Sequence, residues 1–178
     1  MNIMYHLDVG SFSELAGIKG LELVGGGRLI PLTSAREVAT AIKNERGSYG
    51  TLAHRNSIAG IVEENAALIR KYRLRKVCEV VIHIMPCLGA YPGSSNHNYI
   101  YSHPKALAQC SDFLASNYPN AKRIEVSSTA KGIKIVKERK SGLAIGRKDY
   151  FIKERLEVIA ENIANQGESY TEFYVLSA

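Results

Sequence analysis

Three short segments place hydroxyls where a strand gives way to a helix: Gly10-Ser11-Phe12-Ser13, Ser102-His103-Pro104 and Ser127-Ser128-Thr129-Ala130. A helix start leaves backbone N–H groups without intrahelical partners, and a hydroxyl beside them completes a site suited to carboxylates. Turns of this kind converging on one cleft would bind an anion with few cationic side chains. Each Ser or Thr can equally be an ordinary N-cap, contributing about 1 kcal/mol to stability. Two histidines could move protons near neutrality. His103 serves equally well as a helix cap, and His54, on a strand, should face away from its neighbour Arg55. His6, His83 and His97 lack metal-ligand spacing with Cys, Asp or Glu, so neither a metal nor any other cofactor is expected.

Composition narrows the partners. The chain has 178 residues, 46% of them hydrophobic, and a net charge of +6, which describes a globular protein able to attract anions. The basic residues gather at helix ends, in Arg70, Lys71, Arg73, Arg75 and Lys76 and again in Lys137-Glu138-Arg139-Lys140, without interleaved aromatic residues. That pattern suits helix dipoles better than nucleic acid, and leaves a small anionic substrate as the expected partner. Apolar runs such as Val80 to Met85 are too short to cross a bilayer, and the first residues do not resemble a signal peptide. A cytoplasmic location is expected, with no membrane association. The three cysteines, Cys78, Cys87 and Cys110, lack CxxC spacing and read as reduced, mostly buried thiols.

The elements that must position these groups alternate. Ile3 to Leu7 reads as a strand, followed by a helix opened by Ser11-x-x-Glu14, and a second Ser-x-x-Glu at Ser34 opens a helix to about Asn44. Strand-like stretches follow at Tyr49 to Ala53 and Lys76 to Met85, flanking a helix from Ile58 to Tyr72. Pro86 to Asn98 reads as a loop, Tyr99 to Tyr101 as a strand and Pro104 to about Ser116 as a helix. Beyond it come strands at Arg123 to Val126, Leu143 to Ile145, Leu156 to Ile163 and Tyr170 to Leu176, with a helix from Thr129 to Lys140. This alternation predicts an α/β fold with mainly parallel sheet.

Ser102-His103-Pro104-Lys105-Ala106-Leu107-Ala108-Gln109-Cys110 resembles the Ser-His-Pro-x-Ala-Leu-x-Gln-Cys signature of prephenate dehydratases. Four further segments match in order: Gly10-Ser11-Phe12-Ser13, Asn56-Ser57-Ile58-Ala59-Gly60, Ser128-Thr129-Ala130 and Thr171-Glu172-Phe173, the last standing where the family carries Thr-Arg-Phe. The resemblance spans the chain and implies a periplasmic-binding-protein-like (type II) fold with a ligand cleft between two α/β lobes, residues 1–74 with 166–178 and residues 75–165. It implies conversion of prephenate, a dicarboxylate, to phenylpyruvate in phenylalanine synthesis, in a homodimer or homotetramer. Thr171 would be the catalytic hydroxyl. Ser11, Asn56, Ser57, His103, Ser128, Thr129, Ala130 and Phe173 would line the substrate site. No residues remain for the regulatory ACT domain that often follows, so feedback by phenylalanine is not expected.

Departures from the family pattern are concentrated. Leu7-Asp8-Val9 stands for Gly-Pro-Glu, Ala53-His54-Arg55 for Pro-Ile-Glu, and Glu172 for the arginine of Thr-Arg-Phe. Arg55 and Glu172 either form an ion pair of reversed polarity or are independent surface substitutions. A guanidinium keeps its proton and so cannot act as the general acid that a glutamic acid could be. Two alternatives therefore stand beside the dehydratase: a prephenate decarboxylase that leaves the ring non-aromatic, and a non-catalytic carboxylate-binding module.

Overall fold

The computed structural model describes residues 2–178. In chain order the elements are β1 (Asn2–Leu7), α1 (Phe12–Leu23), β2 (Gly27–Leu32), α2 (Ala35–Asn44), β3 (Ser48–Asn56), β4 (Gly60–Ile61), α3 (Glu63–Tyr72) and β5 (Arg75–Ile84). There follow β6 (Cys87–Ala90), β7 (Tyr99–Ser102), α4 (Pro104–Gln109), α5 (Ser111–Asn117), β8 (Lys122–Glu125), α6 (Thr129–Arg139), β9 (Leu143–Gly146), α7 (Lys148–Lys153), β10 (Glu157–Ala160) and β11 (Ser169–Ser177). They form two compact units, one running to Ile84 and completed by Ser169–Ala178, the other Met85–Glu168. A lobe boundary at residue 75 would put β5 in the second unit. It belongs to the first because it is hydrogen-bonded to β11 along nearly its whole length.

The first unit holds a sheet of order β2-β1-β3-β11-β5, with β4 paired to β3. Strands β2, β1 and β3 are parallel, as strand–helix–strand crossovers require, while β11 enters antiparallel between β3 and β5. Successive residues of a strand point to opposite faces, so the sheet has two apolar layers. Met4, Val80, Ile82, Phe173 and Val175 pack with Ala16 of α1, whereas Tyr5, Leu52 and Leu176 pack with Val38 and Ile42 of α2 and Leu68 of α3. Helix α1 comes close because it presents glycine. A Cβ on Gly20 would stand 2.8 Å from Cγ2 of Val175.

The second unit has a sheet of order β10-β6-β9-β7-β8, in which β9, β7 and β8 are parallel and β6 and β10 are antiparallel. Leu88, Ile100, Leu143 and Ile145 of the strands form its core with Leu107, Cys110 and Leu114. Burial pushes the Cys110 thiol up to about 12, with nearby Cys87 adding to the effect.

Several elements differ from the sequence reading. Strand β6 lies inside the expected loop 86–98; it is four residues long but wholly buried, too short for periodicity to reveal. The helix expected from Ile58 begins at Glu63, because the Asn56 carboxamide oxygen accepts from the N–H groups of Ile58 (3.1 Å) and Ala59 (3.0 Å) and holds them in a turn. The helix after Pro104 breaks at Cys110 into α4 and α5. Strand β2 contains Pro31 and tolerates it as an edge strand. Helix α7 had no counterpart in the sequence reading.

Candidate active site

Within the first unit, Ser11, Asn56, Ser57 and Thr171 all sit where β1 and β3 end and β11 begins, which is the carboxyl edge of the parallel strands. Ser11 is the N-cap of α1. Its hydroxyl accepts from the Glu14 N–H (3.3 Å) and is also within hydrogen-bonding distance of the Leu7 (2.6 Å) and Asp8 (2.7 Å) carbonyls. Glu14 answers by accepting from Gly10 N–H at 2.9 Å. The turn is rigid before any ligand arrives.

Asn56 and Thr171 face each other across the antiparallel β3–β11 pair, and both are buried. The Asn56 amide donates to Thr171 Oγ1 at 3.0 Å and to the Tyr170 carbonyl at 3.3 Å. Ser57 continues the ladder: its N–H donates to the Tyr170 carbonyl (2.9 Å), and its hydroxyl accepts from the Tyr170 N–H (3.0 Å). Asn56 is thus a scaffold for Thr171 and for the 58–59 turn, with both ends of its carboxamide engaged. Because Thr171 Oγ1 accepts from Asn56, the threonine's own proton is directed to some other acceptor.

Arg55 and Glu172 occupy the other face. Along β11, Thr171 shares a side with Phe173 and Val175 in the α1 layer, while Glu172 alternates with them and shares a side with Tyr174. Arg55 lies directly across from Glu172, so the two positions do face each other, but no ion pair joins the side chains. Arg55 is exposed, and the Glu172 carboxylate contributes instead to holding the Lys76 ammonium above its ordinary range, an effect led by Lys76's hydrogen bond to Glu79. A bulge corrects the expectation for His54. Glu172 pairs with Arg55 and Phe173 with Ala53, leaving His54 without a partner on β11. The extra residue breaks the alternation, so His54 and Arg55 share one face, where the imidazole stacks on Tyr174 at 4.0 Å. Phe173, expected at the substrate, is 5% exposed and packs in the α1 layer.

In the second unit the ends of β8, β7 and β9 lie side by side and feed α6, α4 and α7. Ser102 is fully buried and donates to the Ile145 carbonyl (3.0 Å), tying β7 to β9 rather than facing a ligand. Exposed His103 caps α4, its Nδ1 accepting from Lys105 N–H (3.2 Å), which leaves the proton of the neutral ring on Nε2. Ser128 caps α6 by accepting from Lys131 N–H at 3.1 Å. Thr129 follows half-buried and Ala130 faces the core at 3% exposure, so Ala130 can offer a ligand only its backbone. The first turn of α6 rests on β7 through Gly132, where a Cβ would stand 2.6 Å from the Tyr101 carbonyl oxygen. That contact sets the first turn of α6 against the end of β7.

One residue on this edge was not foreseen. Arg147, directly after β9, is 4% exposed, and its Nε donates to Asp149 Oδ1 at 2.9 Å while a second nitrogen reaches the other carboxylate oxygen. The guanidinium holds the Asp149 carboxyl below its usual range. A cation ending an apolar strand, Leu143-Ala144-Ile145-Gly146-Arg147, was the available signal. Among the described residues no helix is long and apolar enough to cross a membrane.

A family model described as prephenate dehydratase matches residues 3–178. The bifunctional chorismate mutase/prephenate dehydratase of Aquifex aeolicus is 31% identical over 148 residues, covering 83% of this chain and 41% of that protein. The prephenate dehydratase of Methanocaldococcus jannaschii is 31% identical over 178 residues, covering 98% of this chain and 64% of its own. The chain thus spans less than two thirds of the length of either relative. Among solved structures, the prephenate dehydratase of Arthrobacter aurescens, in complex with L-Phe, superposes with a TM-score of 0.87 at 25% identity over 99% of this chain and 60% of that one. A periplasmic transporter superposes at 0.54 with 6% identity over 99% of this chain and 76% of the other, a likeness of fold alone. With its five motifs set on these two sheets and its sequence matched almost from end to end, the chain belongs to the prephenate dehydratase family.

Proposed function

We propose that this protein converts prephenate to phenylpyruvate, acting in the cytoplasm as a homodimer or homotetramer. The observation that carries the reading is the Asn56–Thr171 hydrogen bond, which presents the threonine O–H as a donor. In the reaction the ring carboxylate leaves as carbon dioxide and its bonding pair enters the ring. The ring C–O bond breaks in the same sense, and the departing hydroxide takes up a proton and leaves as water. The balance is redox-neutral, and aromatisation supplies the driving force. Thr171 donates a hydrogen bond to the hydroxyl as charge develops on it, a contribution that grows toward the transition state. In the second unit, the Ser128–Thr129 turn at the start of α6 and the Nε2–H of His103 each offer donors suited to a carboxylate. On the same edge Arg147, paired with Asp149, holds the turn after β9 in place. Ser11 and Ser57 stand on the same strand edge of the first unit as Thr171. The three free thiols suit a reducing compartment.

Incubation with prephenate followed by NMR of the products tests the reading. Phenylpyruvate is the expected product. A dihydro-hydroxyphenylpyruvate would replace the dehydratase with a decarboxylase, and unchanged prephenate would reject catalysis.

A further inference from the structure

Strand β5 closes one edge of the first sheet, and among the described residues no strand covers its outer side. The direction of its backbone groups follows from its neighbour. Tyr170 spends both its N–H and its C=O on Ser57, toward β3. In an antiparallel ladder the hydrogen-bonding side alternates, so Thr171 turns its groups toward β5, opposite Ile82, and Ile82 and Val80 turn theirs back toward β11. The groups of Glu79, Val81 and His83 therefore point outward from the sheet edge. These are also the exposed side chains of the strand, Val81 at 43%, on a face that continues into Tyr170 at 37%, the cross-strand partner of His83. Val77 (48%) and Met85 (46%) extend the apolar exposure at either end.

The order of these residues is palindromic in chemistry: acid, apolar, base at 79, 81 and 83, bounded by an apolar residue on each side. We propose that β5 pairs antiparallel with β5 of a second copy of this chain about a two-fold axis through Val81. In that register Val81 meets Val81, and each Glu79 faces His83 of the other copy. The three residues whose backbone groups point outward become the hydrogen-bonded pairs, so the register favoured by side-chain charge is one that backbone direction allows. A register one step either side turns inward-bonding residues to the edge, and an axis through Glu79 sets the two carboxylates against each other. Lys76 holds only one oxygen of Glu79, at 2.6 Å, and leaves the other for the imidazole. Pairing covers an edge that would otherwise remain an open template for strand addition.

Sedimentation velocity on the intact chain, with multi-angle light scattering, reads the outcome directly. The unaltered protein should sediment at twice its 19.6 kDa mass or a larger even multiple of it. Val81→Lys, which sets two ammonium groups on the axis, should halve the observed mass and leave the circular dichroism spectrum unchanged. Glu79→Lys should weaken the pairing about tenfold or more, and adding His83→Glu should restore it by swapping polarity. A monomeric unaltered protein, a dimer indifferent to Val81→Lys, or a double variant no better than Glu79→Lys alone would each overturn the proposal. The interface rests on the homo-oligomer of the proposed function, but catalytic turnover enters none of these readouts, so the interface and the dehydration chemistry stand or fall separately.

Discussion

The two faces of β11 have been put to different uses within a nine-residue strand. On one side Thr171, Phe173 and Val175 are buried, and Thr171 takes a hydrogen bond from Asn56 in a well-packed layer. On the other Tyr170, Glu172 and Tyr174 are exposed or half-buried and meet a bulge, an exposed arginine and a lysine lying 4.2 Å from the Tyr174 ring. Arg55 and Glu172 both fall on the second face. A change of charge there should cost little because solvent screens it, whereas a change at Thr171 or Asn56 would strand a buried polar group. The segment Thr-Glu-Phe thus sets the residue proposed for the chemistry beside one on the opposite face, because a strand separates its neighbours.

The contrast can be broken most forcefully at Thr171. Thr171→Val keeps the shape, removes the hydroxyl and leaves the Asn56 amide short of a partner; phenylpyruvate formation should fall by about 100-fold or more, with a stability loss of about 1–3 kcal/mol in urea. Turnover within a few fold of the parent would remove Thr171 from the mechanism. Asn56→Asp is subtler, since a carboxylate still accepts from Ile58 and Ala59 but would now accept the Thr171 proton instead of donating to its oxygen. We expect kcat to drop about tenfold or more with KM nearly constant and the melting temperature little changed, and a drop in KM-linked binding alone would argue against the orienting role. The exposed face should answer weakly. Arg55→Gln, Glu172→Gln and the double variant should each retain activity within about threefold, with a coupling below about 0.5 kcal/mol in a double-mutant cycle; a large coupling would mean that the two do pair.

The smallest effect concerns Lys76, whose ammonium is held above its ordinary range first by the hydrogen bond to Glu79, with the charges of Tyr174 and Glu172 adding against partial desolvation. A folded-state value raised in this way stabilises the protein fully below the ordinary lysine range and is lost as pH rises through the raised value. Lys76→Met should therefore flatten a slight decline in denaturation midpoint between about pH 9 and about pH 11. An unchanged slope would assign that decline to other groups.

The helix starts were legible because capping is local. Ser11, Ser34 and Ser128 each accept from the N–H three residues on, as their spacing predicts, although Glu14 and Glu37 return the bond one residue earlier than a capping box would, to Gly10 and Thr33. The capped helix starts of the second unit, at His103 and Ser128, could be read in the same way. What escaped was set by distant contacts. Strand β6 exists because Phe151 and the β10 backbone crowd Gly89, where a Cβ would stand 2.5 Å from the ring. The His54 bulge depends on how β11 registers against β3, and no feature of Ala53-His54-Arg55 announces it. Asn56 looked like a ligand-binding amide because its motif is familiar; only coordinates could show that its donors and acceptor were spent on holding Thr171 and a turn.

Strand β11 is inserted between β3 and β5, and the bond from Asn56 to Thr171 closes a loop of 115 residues. During synthesis the second unit has all its strands before β11 exists, whereas β5 has no sheet neighbour until Ser169–Ser177 leaves the ribosome. The nascent first unit thus waits, unable to close its sheet, while the intervening unit can fold as a finished insert. The hydroxyl on which turnover is proposed to depend arrives in the same strand that completes the sheet. Chains lacking Ser169–Ser177 would then hold a complete second sheet and a first sheet divided between β3 and β5.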